Sequence, residues 1–566
     1  MNMKRNQWLL MLAVAATLSG PAVAQAPAES TAPEGNSTTV HLIRLLVEQG
    51  VITDAQANAL LQQAQQEAQT ASQRRPEPEV REGDVRVPYI PEVVRDEIRE
   101  EVKQEVMAQA KAENWAAPNT FPDWVSRVKL FGDVRVRNES RFFSGDNIDQ
   151  LVDGQKYNED GPFETNLGPI ASDFPPLMNT REDRTNLLRL RARFGLEADL
   201  GGNWSTGVRL ATGSSNGPVS TTQTLGGGLS KKDIWLDQGW VKWAPGIWRF
   251  TAGRAENPFV STDILFSGDL SFDGVSAGFK DLRVGDRVAM FGTIGAFPLE
   301  YSSDSWPSSS PDKSDSEDKW LFGAQVGANW VFNQEERLTA TIGYYHFDNI
   351  QGQRSSKCEL YSDPYQFCDT DWSRPTFMQK GNTLFWLRDI VPNPDTSVPT
   401  SMPQYLGLAS EFQLFDLNLI WDTRVFSDYK LRLAGNIIYN DAYSEQAMWR
   451  NAAGMITNNF DEDGEFESGR TAWMVHAAFG SSLDLKRRGD WMTFLGYKHI
   501  EPDALPDAYN DSSFHLGGTN AKGYYLGAAY ALNERLYFQG RWMSSEEVYG
   551  PPLSIDILQL ELNARF

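Results

Sequence analysis

The chain ends with the nine residues LQLELNARF, positions 558–566, and this stretch decides the fold. Its side chains alternate, so that one face carries Leu558, Leu560, Leu562, Ala564 and Phe566, and the other carries Gln559, Glu561, Asn563 and Arg565. A period of two residues is that of a β-strand with one apolar and one polar side. The stretch therefore predicts an amphipathic strand that ends on an aromatic residue. The alternative is an edge strand of a soluble sandwich.

The same alternation recurs upstream and predicts about sixteen strands. They cover residues 128–139, 184–199, 203–214, 233–244, 247–255, 270–280, 286–297, 319–332, 337–348, 410–423, 428–441, 470–485, 489–500, 522–531, 535–546 and 553–566. Short connections such as Gly201-Gly202 and Pro245-Gly246 alternate with long polar ones, as in transmembrane β-barrels. We therefore expect an all-β fold, a transmembrane antiparallel up-and-down β-barrel of about 16 strands. Splitting or missing one hairpin would give 14 or 18.

The amino terminus predicts export. Lys4 and Arg5 precede a mostly apolar run from Trp8 to Leu18, and Ala22-Val23-Ala24 supplies small residues for cleavage. This pattern is that of a secretory signal peptide, residues 1–24. The apolar run is too short to cross a bilayer as a helix, and the sequence has no longer apolar stretch of the required 18 residues or so. A helical membrane protein is therefore excluded.

Residues 25–124 predict a short α-helical periplasmic leader with linkers, and residues 125–566 the barrel. A helical hairpin is expected over residues 41–49 and 54–71, and a further helix over residues 91–112. The last helix carries an apolar residue every fourth position, which fits either a short coiled coil or a periplasmic spacer. An even strand count puts the leader and the carboxy terminus on the same, periplasmic side.

The net charge and the two cysteines limit which partners the chain can have. Removing Lys4 and Arg5 with the signal peptide changes the formal net charge from -23 to -25. So acidic a chain should not bind nucleic acid, whose recognition rests on Lys and Arg. Acidic outer loops could share divalent cations with lipopolysaccharide. In an exported chain we expect a disulfide between Cys358 and Cys368, with two free thiols as the alternative. No spacing of Cys and His gathers metal ligands.

Arginines recur on the polar face of the first three predicted strands. They are Arg135, Arg137, Arg189, Arg191, Arg193 and Arg209. An arginine facing lipid would cost about 2–4 kcal/mol near the bilayer midplane. We therefore expect these six side chains to line a water-filled lumen. The alternative is that they pair structurally with barrel acids such as Asp133 and Glu197.

The connection between the fifth and sixth predicted strands, residues 256–273, combines acids with apolar residues. The apolar ones, which need cover from water, include Pro258, Phe259, Ile264, Leu265 and Phe266. Folding the segment into the barrel would cover them and make a narrow zone with a transverse field. The acids expected across the pore from the arginines are Glu256, Asp263, Asp269 and Asp273. The alternative is an outer loop packed at a trimer contact.

Several short motifs follow one another in a characteristic order. The order is Ala252-Gly253-Arg254, Asn257-Pro258-Phe259, Thr262-Asp263, Asp269 to Gly274 and the terminal Phe566. With the helical leader, this order resembles the putative porin family of Gram-negative outer membranes, and the chain end resembles the assembly signal of such proteins. The resemblance implies a passive outer-membrane channel. General porins are similar in having an arginine row that faces an acidic inward loop. The leader and a long loop over residues 349–409 distinguish this chain from them.

We therefore expect a porin through which small hydrophilic solutes or ions diffuse past a constriction of arginines and carboxylates. No cofactor or metal is expected, and no nucleophile elbow, phosphate loop or zinc-binding helix motif is present. The expected partners are outer-membrane lipid, lipopolysaccharide, the barrel-assembly machinery, the solutes and, in a trimer, further copies of the chain. The rivals are a barrel that only anchors its loops and leader and, less favoured, a barrel enzyme.

Overall fold

The computed structural model describes Gln62 and residues 123–566, apart from residues 166–173, 216, 304, 306–310, 312, 314, 362–366, 399 and 427. The predicted signal peptide and leader helices lie outside the described residues, except that Gln62 is helical. Contacts divide the chain into two compact units, Met1–Glu113 and Asn114–Phe566, and the second contains every element described below. In the described part of the chain, no helix combines the length and apolar character needed to cross a membrane.

Sixteen long strands follow a short helix, α1 (Asp123–Ser126). They are β1 Val128–Phe143, β2 Arg184–Gly201, β3 Trp204–Thr212, β4 Ile234–Trp243, β5 Trp248–Glu256, β6 Ser271–Arg283, β7 Val288–Glu300, β8 Lys319–Asn333, β9 Glu336–Asp348, β10 Phe412–Val425, β11 Tyr429–Asn440, β12 Thr471–Gly480, β13 Trp491–Ile500, β14 Ala521–Ala531, β15 Leu536–Glu546 and β16 Ser554–Arg565. The predicted barrel of sixteen strands is confirmed. One boundary differs most: β12 ends at Gly480 rather than at residue 485.

Each strand pairs antiparallel with the next, and β16 pairs with β1, which closes the barrel. At the seam, Val136 lies opposite Leu562 and Asp133 opposite Arg565. The backbone N–H of Phe566 donates to the carbonyl of Gly132, and that of Gly132 donates to the carbonyl of Phe566, both at 3.0 Å. Closure leaves none of these sixteen strands with an unpaired edge, and a bilayer requires this because it offers no water to bond exposed backbone groups.

The two ends of the barrel differ in the length of their connections. One end, here called the short-turn end, has tight turns such as residues 202–203 and 244–247 and holds the last strand's terminus. The other, the long-loop end, has connections such as residues 144–183 and 349–411. The difference follows from the sequence, because glycine and proline turns alternate with long polar segments.

The strands alternate between an apolar outer face and a mixed inner face. Outward residues with exposed side chains include Leu188, Phe194, Ile437, Val475 and Leu495. On β16, Leu560 and Leu562 point outward while Gln559, Glu561 and Asn563 are buried inside. In the long-loop half, however, the inner face is also apolar, with residues such as Phe412, Ile438 and Ile557 buried. Inward-folded connections cover this half of the wall and form the main hydrophobic core.

The connections at the long-loop end also pack on one another. Two short helices lie among them, α2 (Gly154–Glu159) and α3 (Glu445–Asn451). We call residues 376–390, 454–460 and 501–520 the loop layer. Within it, Asn382 Nδ2 donates to the Pro502 carbonyl at 2.6 Å, and the Thr383 N–H donates to Asp503 Oδ1 at 3.0 Å. Asn458 Nδ2 donates to the Asn382 carbonyl at 2.8 Å.

Candidate constriction of the lumen

The predicted arginines lie on adjacent strands of the inner wall. Arg135 stands opposite Arg191 in the β1–β2 register, and Arg137 stands opposite Arg189. Like charges directly opposite each other destabilise a strand pair unless other groups compensate. The acids that compensate come from β1 itself, from β16 and from the connection after β5.

Two acids neutralise one end of the arginine row. Arg137 Nη2 lies 2.6 Å from Glu561 Oε1, and Arg189 Nη1 lies 3.1 Å from Glu139 Oε2. Glu139 also bonds Arg141, at 2.7 Å. The side chains of Arg137, Glu139 and Glu561 are almost fully buried. A buried charge without a partner is strongly destabilising, so these pairs hold β2, β1 and β16 together at the seam.

Asp133 and Asp269 bind the other end of the row. Arg191 Nη2 lies 2.8 Å from Asp133 Oδ1, and Arg193 Nε lies 2.6 Å from Asp133 Oδ2. Asp269 Oδ1 reaches the same two guanidinium groups at 3.2 and 3.3 Å. Its Oδ2 accepts from the Thr221 N–H and hydroxyl. Asp269 thus joins two inward connections to β2.

Residues 257–270, which we call the inward loop, cross the lumen. Ile264, Leu265 and Phe266 are at most 3% exposed and belong to the main core. Phe259 packs edge-on against Phe272 and Tyr345, with ring centroids 6.5 and 5.1 Å apart. The apolar residues that the sequence left without cover are therefore buried against the inner wall.

Polar contacts fix the inward loop along β8, β10, β11 and β13. The Val260 N–H donates to Gln325 Oε1 at 2.8 Å, and the Thr262 hydroxyl donates to Asn436 Oδ1 at 2.5 Å. Lys498 Nζ lies 2.8 Å from Asp263 Oδ2. Asp263 and Asp269 thus attach the loop to β13 and β2, which lie five strands apart around the ring.

The loop acids are not separated from the basic groups by open pore, contrary to the expected transverse arrangement. Asp269 contacts the arginine row directly, Glu256 lies 3.4 Å from Arg209, and Asp273 lies 2.9 Å from Arg254. The physical reason differs between the acids: packing of the apolar loop on the wall brings Asp269 to the arginines, whereas Glu256 and Asp273 lie in β5 and β6, where the register sets Asp273 directly opposite Arg254. Arg209 also bonds Asp237, at 2.5 Å. Arg135 instead donates to the Thr222 hydroxyl, at 2.6 Å.

Several partners in this cluster were missed from the sequence. They are Glu139, Glu561, Asp237, Thr221, Thr222 and Lys498. Lys498 gave a usable signal, because a basic residue on the polar face of an otherwise uncharged strand needs an acid nearby. The others could not be assigned, since the strand parity gives the face but not the neighbour.

The two cysteines lie in the connection between β9 and β10. Their Sγ atoms are bonded, with 2.08 Å between them, and Cys358 and Cys368 form a small buried cluster with Leu360 and Ile390. Among the described residues, no group of three His, Cys, Asp or Glu could hold a metal ion.

Titratable groups are buried in the loop layer. Burial raises the pKa of the Asp507 carboxyl to about 7, and burial together with Lys380 lowers the pKa of His515 to about 4. Burial also raises the pKa of Asp503, whose carboxylate accepts from Thr383 and Ser468. Asp507 Oδ1 and His515 Nε2 are buried without a hydrogen-bond partner, so each favours its uncharged form.

Solved barrel structures give low but consistent similarity. The high-pH structure of Pseudomonas putida OprB matches with 11% identity and a TM-score of 0.41, covering 78% of this chain and 95% of that one. The outer membrane channel DcaP of Acinetobacter baumannii matches with 10% identity and a TM-score of 0.35, covering 78% and 97%. Salmonella typhi OmpF in complex with daunomycin matches with 9% identity and a TM-score of 0.36, also covering 78% and 97%.

Sequence comparison gives the family. A search of curated proteins finds no match. Residues 36–566 match the family model described as "Putative porin", a range that includes the whole barrel. The chain therefore belongs to this porin family.

Proposed function

We propose that the protein is an outer-membrane porin through which small hydrophilic solutes and ions diffuse down their gradients. The observation that carries the proposal is a closed ring of sixteen strands, apolar outside and charged inside, narrowed by an inward loop. A ring of this size is wide enough for an aqueous channel, whereas an eight-stranded barrel is filled by its own side chains. No chemical step is part of this function.

The inward loop and the arginine row would form the narrowest part of the path. Arg137, Arg189, Arg191, Arg193 and Arg209 each have a carboxylate within ion-pair distance. Paired charges give a rigid, nearly neutral wall, so we propose that this zone sorts solutes mainly by size. A strong transverse field would require the carboxylates to stand apart from the arginines.

The remaining expectations belong to the same proposal. Residues 1–24 direct export, the leader and carboxy terminus lie in the periplasm, and the long loops face the exterior. There, their abundant Asp and Glu could share divalent cations with lipopolysaccharide. Residues Leu558, Leu560, Leu562, Ala564 and Phe566 would be read by the barrel-assembly machinery, and a trimer is the proposed assembly.

The test is single-channel conductance of the refolded mature protein in planar bilayers, with the reversal potential measured in a salt gradient. Stepwise conductance is expected. In the variant R189Q/R191Q/R193Q, Asp133, Glu139 and Asp269 lose partners, so the reversal potential should shift toward cation selectivity. The matched control K486Q/R487Q/R488Q removes three charges from the turn between β12 and β13 and should shift it less.

A silent but correctly folded barrel would contradict the porin function and favour the anchoring alternative. Deleting residues 25–120 separates the two alternatives further. A porin should still conduct without the leader, whereas a tethering protein would lose its attachment function.

A further inference from the structure

A second charged region lies between the inward loop and the short-turn end of the barrel. It surrounds a cavity of about 950 Å³ against β1, β2 and β4 to β9. Its basic residues are Lys129, Lys242, Arg249, Lys280 and Arg337, of which Arg337 is already paired with Asp422 at 3.2 Å. We call the other four basic residues and the three rings described next the vestibule. Residues Glu256 to Val260 of the inward-loop segment line the same cavity.

Three aromatic rings lie on the vestibule wall. They are Phe131, Trp240 and Phe291, and they cover Gly195, Gly207 and Gly327 respectively. Each glycine is on a neighbouring strand, and a Cβ at any of them would collide with the ring. The small residue therefore lets the ring lie against the backbone. All three rings remain partly exposed, as rings that present a face to the cavity should.

The basic residues of the vestibule differ from the constriction arginines in having no carboxylate partner. Within the described residues, none of the four forms an ion pair within 4 Å, and Lys129, Arg249 and Lys280 are exposed. Lys242 Nζ instead lies 4.5 Å from the centroid of the Trp240 ring. The acids of the lining are fewer, namely Glu197, Glu256 and Asp281, and Glu256 is already bonded to Arg209.

We propose that the vestibule is a binding site for small aromatic carboxylates, a proposal that rests on the porin function above. The unpaired basic groups attract the carboxylate, and an exposed ring face accepts the solute ring by offset or edge contact. A cleft with an excess of one charge raises the local concentration of the opposite ion by about 10- to 1000-fold. The vestibule, rather than the arginine row, would thus set the preference for anions.

The chemistry of the lining distinguishes aromatic from simple carboxylates. Basic groups alone would favour acetate and benzoate alike, because each carries one negative charge. The rings add a favourable contact that only the aromatic anion can use. Weak binding at several places along the path is compatible with conduction, since the solute must also leave.

The proposal is tested by the reversal potential of the full-length mature protein in planar bilayers, in gradients of sodium benzoate and of sodium acetate. The salt is kept near 0.1 M, where charges act over about 10 Å. In the variant K129Q/K242Q/R249Q/K280Q, the benzoate-to-sodium permeability ratio should fall about 10-fold. The variant W240L/F291L should lower the ratio for benzoate and leave the ratio for acetate unchanged.

The matched control is K486Q/R487Q/R488Q/R535Q, which removes four charges from turns at the same end but outside the vestibule. It should change the ratios less than about twofold. Equal effects of the vestibule and control variants would overturn the proposal while leaving the porin function intact. An absence of current in the unaltered protein would instead overturn the porin function. Heat-dependent electrophoretic mobility reports whether each variant forms a folded barrel.

Discussion

At the scale of single residues, the arginine row depends on the carboxylates that pair with it. Strand alternation was sufficient to predict that five arginines point inward, namely Arg135, Arg137, Arg189, Arg191 and Arg193. It could not identify Glu561 as the partner of Arg137, because 424 residues separate the two in sequence. Partnership across a barrel seam depends on register, and register is set by all the strands together.

Asp269 is the residue whose replacement should change the constriction most selectively. In Asp269→Asn, Arg191 and Arg193 keep Asp133 but lose a shared negative charge. The reversal potential should shift toward anions, and the free energy of unfolding should fall by about 1–3 kcal/mol because charged hydrogen bonds are lost. Asp273→Asn is the control, since the Asp273–Arg254 pair is exposed. Equal shifts in the two variants would contradict a special role for Asp269.

At the scale of elements, the strands were predictable and the loop contacts were not. Alternation over nine or more residues located all sixteen strands. It failed at the end of β12, where alternating residues continue past Gly480 but Leu485 has a left-handed backbone with φ of 51°. The loop layer offers no such period, because its structure depends on single hydrogen bonds between segments more than 100 residues apart.

Besides the disulfide between Cys358 and Cys368, the sequence suggested one tertiary feature of a connection, the inward folding of the loop after β5. Apolar residues such as Ile264 and Phe266 would be unfavourable in a loop that is exposed to water. Their burial was therefore predictable, whereas the position of the neighbouring acids was not. The positions of the acids depend on the path that the backbone takes once the apolar residues have packed.

The outer face of the last strand gives a prediction about stability. Leu560 points outward and is 39% exposed, so Leu560→Arg should place a charge against lipid. We expect the free energy of unfolding to fall by about 2–4 kcal/mol if the position lies near the midplane. Gln539→Arg is the control, because Gln539 pairs with Glu561 on the inner face. Urea unfolding in lipid vesicles measures both variants, and equal losses would contradict the assignment of the faces.

At the scale of the whole molecule, charge is distributed unevenly along the barrel axis. The long loops are rich in Asp and Glu, the constriction is paired, and the vestibule has an excess of basic groups. A solute would pass these zones in order. The overall charge of -23 therefore predicts little about ion preference, since the zone that contacts the solute differs in sign from the whole.

The docking of the loop layer should weaken as pH rises. The pKa of Asp507 is raised from its ordinary 3.8 to about 7, so its contribution is complete below the ordinary value and is lost as pH rises through 7. His515, with its pKa lowered from 6.5 to about 4, acts oppositely: its contribution is present above 6.5 and is lost as pH falls through 4. Amide exchange of residues 376–390 at pH 6 and 8 measures the Asp507 effect.

Exchange should be faster at pH 8, after correction for its intrinsic pH dependence, by at most about tenfold per pH unit. Asp507→Asn should remove this difference because its side chain stays uncharged. Asp395→Asn, an exposed replacement in the connection that contains residues 376–390, should retain it. A difference that persists in Asp507→Asn would show that another group controls docking.

Because β1 pairs with β16, the barrel can close only when all sixteen strands have been made. The first strand pairs early with β2, but it gains its second neighbour only when β16 has been made. A product that stops early keeps two bare edges, which invite aggregation in water and are too costly to bury in lipid. Premature termination anywhere before β16 therefore yields a substrate for proteolysis rather than a smaller, leaky channel. Barrel closure therefore separates full-length products from truncated ones.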